Sequence, residues 1–175
     1  KESLILRIAV KKWVYIFLGL VTMLVCLSSC RKYAHIKKET TYSEFEYQGH
    51  DRSYLVHTPE NYDSTKTYPL IFVLHGITSR AKAIAGFSHF NEVADQKEFI
   101  VCYPQGYKRS WGINIPVGPA PKAGIDDLGF MELLMDTLIS DYSVDTSRIF
   151  ACGISNGGFM TSSLAFNCPD RLAGI

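Results

Sequence analysis

Residues 148–158 read Arg148-Ile149-Phe150-Ala151-Cys152-Gly153-Ile154-Ser155-Asn156-Gly157-Gly158. The apolar run up to Cys152 does not alternate, as expected of a strand covered on both faces. It enters Gly-x-Ser-x-Gly directly, and Asn156–Asn167 then has the character of a helix closed by Pro169. A serine between a strand and a helix sits on a turn too tight for flanking side chains, hence Gly153 and Gly157. Such a turn strains Ser155 and projects its hydroxyl above the sheet edge. The helix N-terminus aims free N–H groups and the positive end of its dipole at the same spot, where an oxyanion could form. Alone the motif is weak, because a glycine-rich turn can carry an incidental serine; in this context Ser155 is a candidate nucleophile.

Outward from that turn, strands alternate with helices. Thr41–Gln48 alternates in polarity, Gly49-His50-Asp51 reads as a turn and Arg52–His57 as a second strand, together a hairpin. Leu70–Leu74 and Phe99–Tyr103 are further buried strands, the second stopped by Pro104, with a helix expected over Phe87–Lys97. Residues 104–125, rich in proline and glycine and containing Trp111, form a long loop, a feature usually functional or mobile. Asp126 and Asp127 then open a helix reaching about Tyr142, with Leu128, Met131, Leu134, Met135 and Leu138 on one stripe. One aspartate is expected to cap it. The pattern predicts an α/β fold with a mostly parallel central sheet flanked by helices.

Composition narrows the function classes. The 175 residues hold 18 Lys or Arg and 17 Asp or Glu, a formal charge of +1, so no cation surplus exists for nucleic-acid binding. At 47% hydrophobic and 20% charged the chain is globular, with length for one domain. No His or Cys pair has metal-ligand spacing, and nothing calls for a metal or organic cofactor.

The N-terminal residues look like an address. Lys1, Arg7, Lys11 and Lys12 precede an uncharged run from Trp13 to Leu27, shorter than the roughly 20 residues of a membrane span but suited to a signal peptide. Leu27-Ser28-Ser29-Cys30 resembles a bacterial lipobox, which implies removal of residues 1–29 and lipidation of Cys30. An uncleaved anchor helix is the alternative. Either way the expected location is extracytoplasmic, tethered to a bacterial membrane or secreted. Residues 30–40 are the tether, and 41–175 the N-terminal part of the catalytic domain. Cys102, Cys152 and Cys168 then remain, an odd number; Cys102 and Cys152 read as small buried residues.

A second element with chemical character is His75-Gly76-Ile77, at the end of strand 70–74. Taken in order, Tyr68-Pro69-Leu70 through Gly76, Tyr103-Pro104-Gln105-Gly106, Asp126-Asp127-Leu128-Gly129-Phe130 and Val144-Asp145 through Gly158 resemble one secreted esterase family. It includes polyhydroxybutyrate depolymerases, feruloyl esterases and acetylxylan esterases. The resemblance covers roughly residues 50–175. It implies an α/β-hydrolase fold, Ser155 as nucleophile, and the backbone N–H groups of Ile77 and Asn156 as oxyanion donors. It also makes His75 and Gly76 shapers of the loop, rather than a base and its neighbour, and places Trp111 near the substrate cleft. Several members carry cysteines just after that Trp, where this chain has Gly112-Ile113-Asn114-Ile115-Pro116. Family topology sets strand 70–74 between 99–103 and 148–152. That puts Cys102 and Cys152 about 9.5 Å apart, beyond disulfide reach, and leaves Cys168 as the one candidate for a bridge.

A serine hydroxyl needs a His to take its proton and an acid to orient that His. His35, His50, His57, His75 and His89 all precede Ser155, whereas the family order is Ser, acid, His. The expectation is that both partners lie beyond Ile175, in a chain truncated at its C-terminus. The leading reading is an extracytoplasmic serine hydrolase cleaving carboxylic esters of wall polysaccharides or polyesters through an acyl-Ser155 intermediate. Two others stand beside it: a catalytically dead surface glycan-binding lipoprotein, and a serine peptidase or thioesterase of the same fold.

Overall fold

The computed structural model describes residues 40–113 and 117–175. The expected signal peptide, Cys30 and nearly all of the tether lie outside the described residues.

Two strands open the fold, β1 (Thr40–Tyr47) and β2 (His50–His57). Their register pairs Tyr47 with His50, so the turn is Gln48-Gly49 alone, and both residues have positive φ, 50° and 75°. A two-residue turn of this hand matches the twist of an antiparallel pair, which places the turn one residue earlier than the Gly49-His50-Asp51 expectation. β3 (Tyr68–Leu74), β4 (Ile100–Pro104) and β5 (Val144–Gly153) complete a sheet in the order β1-β2-β4-β3-β5. β3 is parallel to both β4 and β5, whereas β1–β2 and β2–β4 are antiparallel. The sheet is therefore mixed, which corrects the expectation of a mostly parallel one. The hairpin joins the main sheet through β2, and a hairpin with a short turn can only be antiparallel. Beyond β5, Phe150 bridges Gly174 in parallel, with Ala173 N–H donating to the Ile149 carbonyl at 2.7 Å.

Helices cover both faces. On one side lie α1 (Ala81–Ser88) and α2 (Phe90–Lys97), packed over Leu55, Val73, Val101 and Tyr103. His89, in the left-handed region at φ 57°, separates them where one helix over 87–97 was expected. On the other side α4 (Asp127–Asp141) and α5 (Asn156–Asn167) cover Leu70, Phe72, Leu74, Ile100 and Ala151; the short α3 (Pro119–Lys122) lies in the long loop. Alternation along β3 thus feeds two cores at once. Each fully buried side chain such as Phe72 or Leu134 contributes about 1.5–3 kcal/mol through removal from water. Cys102 and Cys152 belong to opposite faces with β3 between them, so they cannot bridge, and all three described cysteines are free thiols.

The parallel strands β3, β4 and β5 end together at one edge. The turns leaving them carry His75-Gly76-Ile77, Gln105-Gly106 and Gly153-Ile154-Ser155. In open α/β sheets, sites form at that carboxyl edge.

Candidate active site

Ser155 stands between β5 and α5 with φ 54° and ψ −119°, a conformation that disfavours every residue with a Cβ. Strain of this kind costs on the order of 1–3 kcal/mol and persists only where the surroundings enforce it. They do so here by close backbone contact. A Cβ on Gly153 would stand 2.5 Å from the backbone of Gly157, and one on Gly157 would stand 2.4 Å from the Leu74 carbonyl oxygen. Ile154 N–H donates to the Leu74 carbonyl at 3.2 Å, and Gly157 N–H to the Ile154 carbonyl at 2.9 Å. The turn is thus pinned to the end of β3, and Ser155 is left exposed on the surface.

The same contacts bring the β3 turn to the serine. A Cβ on Gly76 would lie 3.6 Å from the Cβ of Ser155, so the His75-Gly76-Ile77 segment passes directly beside it. Asn156 is buried, and among the described residues neither its backbone N–H nor that of Ile77 donates to a protein acceptor. Ser155, Gly76, Ile77 and Asn156 therefore meet at one place, with Gly153 and Gly157 beneath them.

His75 is fully buried under this segment. Its Nδ1 lies 2.8 Å from the Gly76 carbonyl oxygen and its Nε2 receives Gly106 N–H at 3.0 Å, which sets the neutral tautomer with the proton on Nδ1. Burial holds its pKa below the ordinary histidine value, with the Gly76 carbonyl opposing in part. Gln105 donates to the same Nε2 at 3.1 Å and accepts from Ala81 N–H at the start of α1 at 3.0 Å. Both ring nitrogens are occupied, so His75 ties the β3 turn to the Gln105-Gly106 segment and has no lone pair for Ser155.

Trp111 is wholly buried and offers no ring face to a ligand. It reaches the site through hydrogen bonds instead, from its backbone N–H to Asn156 Oδ1 at 2.9 Å and from its indole to the His75 carbonyl at 2.8 Å. Behind it stand two residues that sequence reasoning did not single out for a role here, Arg52 and Asp127. They form a buried ion pair, and the second Asp127 oxygen accepts from Gly112 N–H. Burial raises the Asp127 pKa, while Arg52 and the Gly112 N–H pull against it. Asp126 is the helix cap, accepting from Gly129 N–H at 2.9 Å and from the Tyr47 hydroxyl at 2.8 Å. An arginine on a strand followed much later by paired aspartates is too common a pattern to flag this pair.

A His–carboxylate pair does exist among the described residues, but elsewhere. His57 Nε2 lies 2.9 Å from Asp95 Oδ1. His57 pairs with Val101 near the start of β4, at the opposite end of the sheet, and three strand spacings of about 14 Å in all separate β2 from β5. His50 packs against Tyr107 and the exposed His89 stands near Glu92. No described histidine is brought to Ser155.

A mixed sheet covered on both faces, with a strained serine on a strand-to-helix turn, defines an α/β-hydrolase. Residues 46–174 match the Esterase family model, described as "Putative esterase", and the chain belongs to that family. It is related to fungal feruloyl and acetylxylan esterases. Feruloyl esterase B of Neurospora crassa is 35% identical over 111 residues, covering 62% of this chain and 38% of that protein. An acetylxylan esterase of Coprinopsis cinerea is 32% identical over 123 residues, covering 67% of this chain and 32% of the relative. The chain thus spans well under half the length of either. An acetyl xylan esterase from Aspergillus awamori shares the fold at a TM-score of 0.62, with 21% identity over 77% of this chain and 52% of its own.

Proposed function

We propose that this chain supplies the nucleophile and oxyanion hole of a serine carboxylic-ester hydrolase. The observation that carries the reading is the geometry of Ser155, strained at φ 54° and exposed beside the Gly76 segment at the N-terminus of α5. In the reaction, Ser155 Oγ attacks the ester carbonyl carbon and its proton passes to an imidazole. Negative charge gathers on the carbonyl oxygen, where the N–H groups of Ile77 and Asn156 and the α5 dipole stabilise it. The tetrahedral adduct collapses, the C–O bond breaks and the alcohol leaves with that proton. Water then repeats the sequence on acyl-Ser155 and releases the acid. Among the described residues no histidine hydrogen-bonds to Ser155, so the imidazole of this scheme is not one of the described histidines.

The proposed substrates are esters carried by plant-wall polysaccharides, feruloyl or acetyl, with polyhydroxybutyrate-type polyesters as the competing class. Names of the relatives favour the first. The proposed setting is extracytoplasmic, with residues 1–29 as the signal, lipidated Cys30 as the membrane anchor, residues 30–40 as the tether and 41–175 as the start of the catalytic domain. Sequence pattern is the support for that part. The test is hydrolysis of p-nitrophenyl acetate and stoichiometric labelling by a fluorophosphonate in the full chain. Both should vanish in Ser155→Ala; persistent turnover in that variant would refute the assignment. Release of ferulate or acetate from xylan against release of hydroxybutyrate then separates the substrate classes.

A further inference from the structure

We propose that Trp111 is a positioning residue that sets the spacing of the two oxyanion donors, an inference that rests on the serine-hydrolase reading above. Trp111 has two N–H groups, and each grips a different arm of the site. Its backbone N–H holds the Asn156 side chain at 2.9 Å, and Asn156 carries one donor on its own backbone. Its indole N–H holds the His75 carbonyl at 2.8 Å, in the peptide just before Gly76 and Ile77, which carries the other. Trp111 therefore spans the gap between β3 and α5 above the sheet edge, with its side chain on one arm and its backbone on the other.

The bridge is itself fixed. The Trp111 ring lies 5.1 Å from the His75 ring, and a Cβ on Gly106 would come within 3.1 Å of Trp111 Cδ2. On the other side, Gly112 N–H is held by Asp127. Backbone strain gathers around it, with positive φ at Lys108 (44°), Arg109 (66°) and Thr78 (65°). Those two loops are tied by Thr78 N–H donating to the Arg109 carbonyl at 2.9 Å. A tryptophan that merely filled the core would not need its indole donor directed at the segment beside the nucleophile.

Donors placed for an oxyanion stabilise the transition state more than the ground state, so misplacing them lowers kcat with little change in KM. Trp111→Phe in the full chain keeps an apolar ring and removes the indole donor. We expect kcat for p-nitrophenyl acetate to fall about 10- to 100-fold with KM within about twofold, a fraction of what deleting a donor costs. The inhibition constant of phenylboronic acid, a tetrahedral transition-state analogue, should rise in step with the loss of kcat/KM. Asn156→Ala removes the acceptor on the other arm, keeps its backbone N–H, and should give the same split. A folded Trp111→Phe with kcat within about twofold of the parent, or with KM rising as kcat falls, overturns the proposal. Should Trp111→Phe fail to fold, Asn156→Ala decides by the same criteria. Ser155→Ala runs alongside: activity in that variant overturns the parent reading and this one with it. An inactive Ser155→Ala beside fully active Trp111 and Asn156 variants overturns the positioning role alone.

Discussion

Arg52 and Asp127 are paired out of solvent, with side-chain exposures of 1% and 0%, and hold together three segments distant in sequence. Arg52 comes from β2, Asp127 opens α4, and the second carboxylate oxygen of Asp127 fastens Gly112 of the long loop. The guanidinium also lies 3.7 Å above the Phe130 ring, so one of its faces is covered as well. One nitrogen, Nη1, has no hydrogen-bond partner among the described residues.

Removing one member of that pair should be far worse than removing both. Asp127→Ala leaves a buried guanidinium uncompensated, and a loss of about 3–5 kcal/mol is expected. The double variant Arg52→Met with Asp127→Leu should recover more than half of it, because neither charge then has to be desolvated. Urea unfolding of the three proteins checks this; a double variant as unstable as Asp127→Ala would contradict it.

Gly157→Ala is expected to be among the most damaging single-methyl changes in the chain. The new Cβ would stand 2.4 Å from the Leu74 oxygen and 2.6 Å from the His75 oxygen, both backbone atoms that no rotamer change can move. Either the β5–α5 turn opens or β3 shifts, at roughly 3 kcal/mol or more. Fluorophosphonate labelling of Ser155 should be lost even where circular dichroism shows a folded protein.

His75 gives stability an acid-side slope. Burial lowers its folded pKa, so as pH falls through the unfolded value of about 6.5 the unfolded chain takes up the proton first. The stabilisation is present above about 6.5 and drains away as pH falls toward the folded value. The parent's urea midpoint should drop more between pH 7.5 and pH 5 than that of His75→Gln, whose side chain cannot be protonated. Equal drops in both would remove His75 from the account.

Tyr47 acts at the other end of the scale. Burial first, and then its hydrogen bond to Asp126, push its pKa up to about 12. The folded state keeps the phenol proton where the unfolded chain has lost it. Its contribution is therefore complete below about pH 10 and disappears between about 10 and 12. Tyr47→Phe should abolish that alkaline loss in a thermal-melt series. Asp126→Ala, which also deletes the α4 cap, should cost about 1 kcal/mol at neutral pH.

Much of the frame was legible from local pattern. The buried strands and the helices over 127–141 and 156–167 announce themselves by period, length and caps, all of which act over a few residues. The break at His89 did not, because nothing in Phe87–Lys97 forbids a continuous helix; a left-handed residue there turns α2 back onto the sheet. Nor did the mixed sheet. Each strand of the hairpin was recognisable alone, while its antiparallel union with β4 is a pairing between residues some fifty positions apart.

The site divides the same way. Gly153, Ser155 and Gly157 lie within five residues, and steric exclusion in one turn dictates both the glycines and the strained serine, so the sequence alone determined the turn on which the proposed nucleophile stands. It also determined, through the order of its histidines, that none follows Ser155 within this chain. Only the tertiary structure decided that Trp111 is buried with its N–H groups on Asn156 and the His75 carbonyl, that Gly106 N–H reaches His75 Nε2, and that Arg52 meets Asp127. The contacts to Gly106, His75, Asn156 and Asp127 join residues between about 30 and 75 positions apart, and their partners are chosen by the closing of the sheet and the exclusion of water. Local pattern carries no record of which distant polar group a buried donor will find.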